Sequence, residues 1–145
     1  MISLKQIGCI TENTLNWYIV RRPGHDLPPL EYTHVPELSP SNDLLEFYLD
    51  HMRNGTWNYE VFFNSYMPRF IKELQNDAAS ERLSFLAEES RKHDIALFCF
   101  CEDETLCHRS IIGGILKGMS AEIECPDDYL KYYNYYINEK CSASY

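Results

Sequence analysis

The hydrophobic positions of this chain change their period several times, and each change predicts a different element of secondary structure. Runs rich in β-branched and aromatic residues at 2–10 and 17–22 predict two strands, and residues 31–35 predict a third, short strand. Residues 95–101 (IALFCFC) form a continuous apolar run. Such a run is typical of a central strand that is covered on both faces. The chain is therefore expected to build a sheet from segments that lie far apart in sequence.

Between the third strand and the apolar run, the period of the apolar positions becomes helical. Ser39 followed by Pro40 predicts the start of a first helix, and Asn54-Gly55 predicts its end. Thr56 predicts the cap of a second helix, in which Pro68 is expected to introduce a kink or a break. The apolar positions recur at three- and four-residue steps in both helices: Leu45, Tyr48, Leu49 and Met52 in the first, and Tyr59, Phe63, Tyr66, Phe70 and Leu74 in the second.

The rest of the chain alternates between helical and extended patterns. A helix that is polar on one side is predicted from about Ser80 to Lys92. After the apolar run, a short acidic loop at 102–105 leads to Cys-His-Arg at 107–109, where an apolar helical stripe begins. A last strand is predicted at 121–125, and a Tyr-rich tail at 126–145 follows, for which a helix is one interpretation.

The order strand, tight loop, helix, strand is a βαβ unit, which implies a parallel sheet with helices on its faces. The chain has no internal repeat, low-complexity tract or long linker, so residues 1–145 are predicted to form a single α/β domain with a mainly parallel central sheet. Ligands of open α/β sheets bind at the carboxyl ends of the strands, near helix N-termini. Cys101 and residues 107–109 occupy that position, and we expect the working site there.

The composition limits the classes of partner. The chain is 45% hydrophobic and 24% charged, as in ordinary globular proteins, and its formal net charge is -9. Such a charge opposes binding to a DNA or RNA duplex, which depends on neutralising phosphates with clustered Lys and Arg. Direct duplex contact is therefore not expected. A small nucleotide-like ligand is compatible with the composition, because one or two well-placed arginines suffice to hold a phosphate.

The chain contains six cysteines, and the cellular compartment determines whether their thiols stay reduced. They are Cys9, Cys99, Cys101, Cys107, Cys125 and Cys141. The opening residues lack the pattern of a secretory signal, and no stretch approaches the length of a membrane span. We expect a cytoplasmic protein without membrane attachment, in which thiols remain reduced. The cysteines are then core residues, metal ligands or reactive groups.

Cys107 is the candidate nucleophile. At a helix N-terminus it experiences a favourable dipole worth about 0.3–1 kcal/mol, and His108 and Arg109 add positive charge nearby. The acidic residues at 102–104 carry the same sign of charge as a thiolate and oppose its formation. The two effects are of similar size, so a reactive thiolate and an ordinary thiol both remain open.

A metal site is the second interpretation of the cysteines. Cys99, Cys101, Cys107 and His108 supply the donor types of a Cys₃His zinc site. In an extended strand, however, Cys99 and Cys101 would hold their sulfurs about 7 Å apart, too far for one tetrahedral ion. We therefore predict no metal and no cofactor, with zinc as the alternative, and interpret Cys99 as a buried strand residue.

The residues beside Cys107 have two interpretations each. Arg109 can clamp a phosphate or carboxylate together with backbone N–H groups of the helix start, or can pair with an acid of its own loop. His108 can act as a general acid or base, or can bond a carbonyl at a strand end. Glu102 directly follows the predicted strand, and can act as a base or bond a sugar hydroxyl, or can be a plain surface acid.

Residues from the first half of the chain complete the candidate site. Arg21 and Arg22 end a predicted strand, and if that strand is parallel to 95–101, one of them faces the same crevice as Arg109. The alternative is a pair of solvated arginines on a loop. Trp57 and Tyr66 are candidates for a stacking platform under a base, although Tyr66 also fits a core contact of an amphipathic helix.

The run FCFCEDETLCHRSIIGGIL at 98–116 strongly resembles the hallmark segment of the family numbered 488 among the domains of unknown function. Arg22-Pro23 after a strand, the turn LSPS at 38–41 and the helix that contains Tyr66 agree with the same family, so the resemblance covers about 15–125. It implies a compact three-layer α/β/α domain with a pocket near Cys-His-Arg, and it leaves the tail at 126–145 outside. Family members are often suspected of roles around nucleic acid or nucleotide metabolism.

Two functions follow as hypotheses. The first is an enzyme that acts on a nucleotide, nucleoside or modified base, with Cys107, His108 or Glu102 as reacting groups. The second is a module that captures a nucleotide-like ligand or a partner protein without altering it. A metal-stabilised adaptor is a third, since the same cysteines offer metal ligands.

Overall fold

A computed structural model describes the backbone of residues 1–143 and side chains as far as Cys141. The strands are β1 (Ile2–Gln6), β2 (Leu15–Tyr18), β3 (Thr33–His34), β4 (Ile95–Cys99) and β5 (Ile123–Glu124). The helices are α1 (Asn42–Arg53), α2 (Tyr59–Val61), α3 (Met67–Glu73), α4 (Asp77–Glu89), α5 (His108–Gly118) and α6 (Lys131–Ala143). A π-helical segment, Phe62–Tyr66, joins α2 to α3.

All described strand pairs are parallel, and the strand order is β3-β2-β4-β1-β5. β4 lies between β1 and β2, and every residue from Ile95 to Cys99 is buried. The predicted α/β class, the parallel sheet and the central position of the apolar run are therefore confirmed. The run is apolar throughout because both of its faces are covered.

The two faces of the sheet are covered differently. Ile95 and Leu97 point into the larger core, which α3, α4, α5 and α6 also line. Ala96 and Phe98 belong to a smaller cluster on the other face, against which Leu27 of the loop after β2 packs. The alternation along β4 thus divides one strand between two cores.

Several predicted boundaries are wrong by a few residues. β1 and β2 end at Gln6 and Tyr18, earlier than predicted, and the last strand is reduced to Ile123–Glu124. Two predicted helix caps also differ, because Ser41 and Asn58, rather than Ser39 and Thr56, cap the helices. The next helix is capped by Asn76 and begins at Asp77, earlier than the predicted start near Ser80. Each of the three observed caps accepts a hydrogen bond from the backbone N–H three residues further on, which satisfies a donor at the helix start.

Pro68 does not break its helix. The preceding π-helical turn, Phe62–Tyr66, brings the chain to Pro68 in the first turn of α3, where the missing N–H of proline is tolerated. The same turn buries Tyr66.

The Tyr-rich tail is helical, as one interpretation of the sequence predicted. A short 3₁₀ helix, Asp127–Leu130, leads into α6, and Tyr129, Tyr132 and Tyr136 are buried in the larger core. Ser144 and Tyr145, which the prediction included, lie outside the described residues. Among residues 1–143, no helix combines the length and apolar character that a membrane crossing requires.

Candidate functional site

A cavity of about 630 Å³ opens where β2 and β4 end, which is the edge of the sheet that the sequence predicted. Its volume lies within the range of small-molecule sites, about 300–1,000 Å³. Its apolar wall consists mainly of Leu45, Tyr48, Leu49, Met52, Trp57 and Tyr66. Four groups with reactive chemistry also line it: Cys99, Cys101, Cys107 and His108.

The stripe of α1 that the sequence predicted lines this cavity, and Tyr48 of the stripe also packs against the larger core. Leu45, Tyr48 and Leu49 are half-buried and Met52 is exposed, whereas Leu44 on the adjacent face is fully buried. The start of α1 is tied down by Glu73, whose carboxylate accepts hydrogen bonds from the N–H and the hydroxyl of Ser41. An apolar helix face that remains half-exposed beside polar groups is typical of a ligand-binding wall.

Cys107 is the N-cap of α5, and its sulfur lies among N–H donors. Its Sγ accepts from the backbone N–H of Arg109 at 3.5 Å and from Nε of the same residue at 3.4 Å. The side chain is only 2% exposed, yet it lines the cavity. N–H donors and a helix N-terminus are both features that favour negative charge near them.

His108 is oriented by the end of β2. Its Nε2 lies 2.5 Å from the carbonyl oxygen of Ile19, and since a carbonyl only accepts, Nε2 carries the proton. In the neutral ring Nδ1 is then the unprotonated nitrogen, and it lies 3.6 Å from Cys107 Sγ and 3.8 Å from Cys99 Sγ. The ring therefore bonds the strand-end carbonyl and also offers a base to the thiols.

The Arg109 side chain forms hydrogen bonds within the protein and does not line the cavity. One terminal nitrogen donates to the carbonyl oxygen of Cys101 at 2.5 Å, while Nε donates to Cys107 Sγ. Although burial lowers the pKa of this guanidinium, the adjacent Cys107 raises it above its ordinary value, so the group stays charged. Arg109 is buried and outside the residues that line the cavity, so it positions the Cys101 loop and the Cys107 sulfur.

Cys99 and Cys101 lie much closer together than an extended strand allows. β4 ends at Cys99 and the chain bends at Phe100, which brings the two sulfurs to 3.8 Å instead of the expected 7 Å or so. The hydrogen bond with Cys101 and burial raise the pKa of the Cys99 thiol to about 12. The interaction with Cys107 and burial likewise raise the pKa of Cys101 to about 12.

The sulfurs of Cys99, Cys101 and Cys107 all lie within 4.8 Å of one another. This cluster can hold a metal ion. The spacing argument against a metal was wrong, because it assumed an extended strand through Cys101, whereas β4 ends at Cys99 and Cys101 lies beyond it.

The family model described as the active DUF488-N3 subclade matches residues 2–120. The chain belongs to this family. The match confirms the resemblance seen in the sequence and extends it to β1, which the resemblance had left out. No curated protein and no solved structure matches the chain significantly.

In this DUF488-N3 chain, the remaining candidate residues line the cavity, and two of them also form hydrogen bonds with other parts of the protein. Arg21, Arg22, Glu102 and Trp57 all line the cavity. Arg21 donates to the carbonyls of Pro40 and Pro36, at 3.0 and 3.2 Å, and Arg22 lies 3.4 Å from Asn42 Oδ1. Arg21 and Arg22 thus line the cavity, whereas Arg109 does not line it and instead contacts Cys101 and Cys107.

Tyr48 is a site residue that the sequence did not single out. Its hydroxyl lies 3.6 Å from Cys101 Sγ, and burial followed by the charge of Cys101 raises its pKa. Its ring meets Trp57 edge-on at 4.8 Å, and Trp57 meets Tyr66 in the same way at 5.3 Å. The helical stripe of α1 contained Tyr48, but only the fold shows that this stripe faces the cysteines.

Proposed function

We propose that this DUF488-N3 protein is an enzyme that acts on a nucleotide, nucleoside or modified base, with Cys107 as the nucleophile. One observation carries the proposal: the Cys107 sulfur accepts two N–H groups, adjoins the unprotonated nitrogen of His108, and lines an aromatic cavity. A nucleophilic thiol beside a base, with the base held by a third group, is the arrangement that covalent catalysis uses. The family's description as an active subclade agrees with an enzyme.

The proton of the thiol has a defined destination. Nδ1 of His108 accepts it from Cys107 Sγ across 3.6 Å, and the resulting imidazolium and thiolate form an ion pair. Ile19 holds the opposite nitrogen and so fixes the ring. When a leaving group departs from the substrate, the protonated Nδ1 can return the proton to it.

The cavity wall fits a planar, partly polar ligand. Trp57 is edge-on to both Tyr48 and Tyr66, so the three rings offer aromatic faces and edges against which a base can pack. Glu102, which is exposed at the same cavity, offers a carboxylate to a ring N–H or a sugar hydroxyl.

Arg21 and Arg22 would bind the phosphate of the ligand. Two carbonyls occupy two of the five N–H groups of Arg21, and Arg22 is exposed at the cavity. A phosphate that binds there is also kept apart from the thiolate, whose charge is balanced by Arg109. Arginines at one end of the cavity and the aromatic wall at the other would orient a nucleotide with its base toward Cys107.

The test is a search for turnover and for a covalent intermediate. The reduced protein is incubated with nucleoside monophosphates, nucleosides and free bases, natural and modified, and both the small molecules and the intact protein are analysed by mass spectrometry. We expect conversion of at least one compound, a mass increase on Cys107, and loss of turnover by at least about 100-fold in Cys107→Ser.

Cys141→Ser is the matched control, because Cys141 is exposed on α6 and is not among the residues that line the cavity. Turnover that persists in Cys107→Ser refutes the nucleophile. A ligand that binds to both the wild type and Cys107→Ser and is recovered unchanged identifies a capture module instead.

A further inference from the structure

Three sulfurs lie together at the cavity, and the imidazole of His108 adjoins two of them, those of Cys99 and Cys107. The Cys99 sulfur lies 3.8 Å from that of Cys101 and 3.8 Å from Nδ1 of His108. The Cys107 sulfur lies 3.6 Å from the same nitrogen, and the three sulfurs are mutually within 4.8 Å. Thiolates and neutral imidazole are the ligands that Zn²⁺ prefers in proteins.

These separations are close to the edges of a zinc tetrahedron. Zn–S bonds of about 2.3 Å place two sulfurs about 3.8 Å apart, and Zn–N bonds of about 2.0–2.1 Å place nitrogen about 3.5–3.6 Å from sulfur. The contacts of Cys99 with Cys101 and of Cys107 with His108 already have these lengths. The widest sulfur pair has to shorten by at most about 1.0 Å to reach the tetrahedral edge.

The surroundings of the four donors supply the outer contacts that zinc ligands need. A histidine that binds zinc usually donates its other N–H to a carbonyl or carboxylate, and Nε2 of His108 donates to Ile19. Arg109 donates to Cys107 Sγ, and the Tyr48 hydroxyl lies beside Cys101 Sγ, where it can donate to a thiolate. Ligand orientation is therefore set by the apoprotein.

The charge of the complex is also balanced. Three thiolates and one Zn²⁺ carry a net charge of about -1, which is costly to bury alone. The buried guanidinium of Arg109, in contact with Cys107 and with the carbonyl of Cys101, offsets this charge. The cavity itself gives the ion access to all four donors, which line it.

We propose that Cys99, Cys101, Cys107 and His108 bind one Zn²⁺ ion, and that the bound ion switches off Cys107 as a nucleophile. Binding displaces the thiol protons to solvent, with no change in oxidation state. A thiolate that shares a lone pair with zinc in a closed four-ligand site is a weaker nucleophile than the free thiolate, because the ion withdraws charge from the sulfur. The inhibitory part rests on the proposed function, whereas the binding part rests on the cluster alone.

The test of binding uses reduced, metal-free full-length protein titrated with Co²⁺ and Zn²⁺. We expect one ion per chain by native mass spectrometry, the intense visible bands of tetrahedral cobalt with sulfur charge-transfer bands, and displacement of Co²⁺ by Zn²⁺. Cys99→Ser, Cys101→Ser and His108→Ala should each weaken binding by at least about 100-fold, beyond the loss that an outer contact causes. A Cys9→Ser/Cys141→Ser double variant, which alters exposed thiols, should bind as the wild type does.

The wild-type cobalt spectrum keeps the proposal falsifiable if a buried variant fails to fold. A weak, octahedral spectrum, the absence of stoichiometric binding, or binding that survives Cys99→Ser in a folded variant overturns the zinc site. Zinc should also abolish Cys107 alkylation and turnover, and a chelator should restore both. Zinc binding without any turnover in the metal-free protein refutes the proposed enzyme and leaves the metal site standing, and turnover that stoichiometric zinc does not affect refutes the inhibition.

Discussion

His108 Nε2 lies 2.5 Å from the carbonyl oxygen of Ile19, so the end of β2 sets the ring orientation of the first residue of α5. This contact leaves Nδ1 directed at the sulfurs of Cys107 and Cys99. One hydrogen bond between two distant segments thereby creates the thiol–imidazole pair.

Replacement of His108 by alanine should have two separable effects. The buried carbonyl of Ile19 loses its donor, which costs about 1–3 kcal/mol of the free energy of unfolding, measured by urea denaturation. Alkylation of Cys107, followed by mass spectrometry across a pH series, should become slower near neutral pH, because the thiol has lost its base. His93→Ala is the control, since His93 is exposed and pairs with Glu89. An unchanged pH profile in folded His108→Ala would show that the imidazole does not accept the proton.

Arg109→Lys should perturb the site although it preserves charge. The guanidinium contacts Cys101 and Cys107 with two different nitrogens, and a lysine ammonium cannot reproduce this fork. We expect a loss of about 1–3 kcal/mol in the free energy of unfolding and a slower reaction of Cys107 with an alkylating reagent. Arg53→Lys, at an exposed ion pair, should change neither quantity. If alkylation slows while stability is unchanged, the result still supports a role of Arg109 in positioning the Cys107 sulfur. If stability falls while alkylation is unchanged, Arg109 has only a structural role.

Arg22→Gln should distinguish a phosphorylated ligand from an unphosphorylated one. A charge-assisted hydrogen bond contributes about 1.5–3 kcal/mol, so affinity for a nucleoside monophosphate should fall by roughly 10-fold or more in calorimetric titrations. Affinity for the corresponding nucleoside should stay the same, because its base contacts the aromatic wall. If both affinities fall equally, or neither falls, Arg22 does not hold the phosphate. Arg53→Gln controls for the loss of a surface charge.

Stability should decline in alkaline solution, beginning near pH 9. The pKa values of Cys99 and Cys101 are raised from 9.0 to about 12 in the folded protein. The unfolded chain therefore releases these protons first, and the stabilisation that is complete below pH 9 is lost as the pH rises toward 12.

The cysteine effect can be separated from that of the tyrosines. Tyrosines with raised pKa values, such as Tyr48, act in the same direction but only from their ordinary value of 10.0 upward. Urea unfolding in reductant should show the slope between pH 9 and pH 10 in the wild type and a flatter curve in Cys99→Ser/Cys101→Ser. Equal slopes in the two proteins would contradict the assignment to these thiols.

Two adjacent glycines of α5 should respond differently to alanine. A Cβ at Gly114 would overlap the backbone carbonyl of Tyr129, whereas the one close contact of a Cβ at Gly113 would be a terminal methyl of Leu4, at 2.9 Å. Gly114→Ala should therefore lower the free energy of unfolding by about 1–3 kcal/mol as the tail is displaced. In Gly113→Ala, a gain of up to about 1 kcal/mol in helix propensity offsets the smaller clash. Similar thermal unfolding of both variants would show that the tail does not press on α5.

Local features of the sequence were sufficient to predict the class of the fold and the edge of the sheet at which the cavity lies. The apolar run at 95–101 identified a central parallel strand, because only a strand covered on both faces is apolar at every position. The Cys-His-Arg triplet after it identified the helix start at which the cavity lies, because chain direction in a βαβ unit brings helix N-termini to the carboxyl edge of the sheet.

Contacts between distant segments decided the rest. The sequence could not show that Phe100 bends the chain and brings Cys101 to Cys99, since the strand pattern continues past the true strand end. Nor could it show that Arg109 turns inward while Arg21 and Arg22 line the cavity, because side-chain direction depends on which carbonyls and sulfurs pack nearby. Periodicity places a residue on a face, but only tertiary packing determines what that face meets.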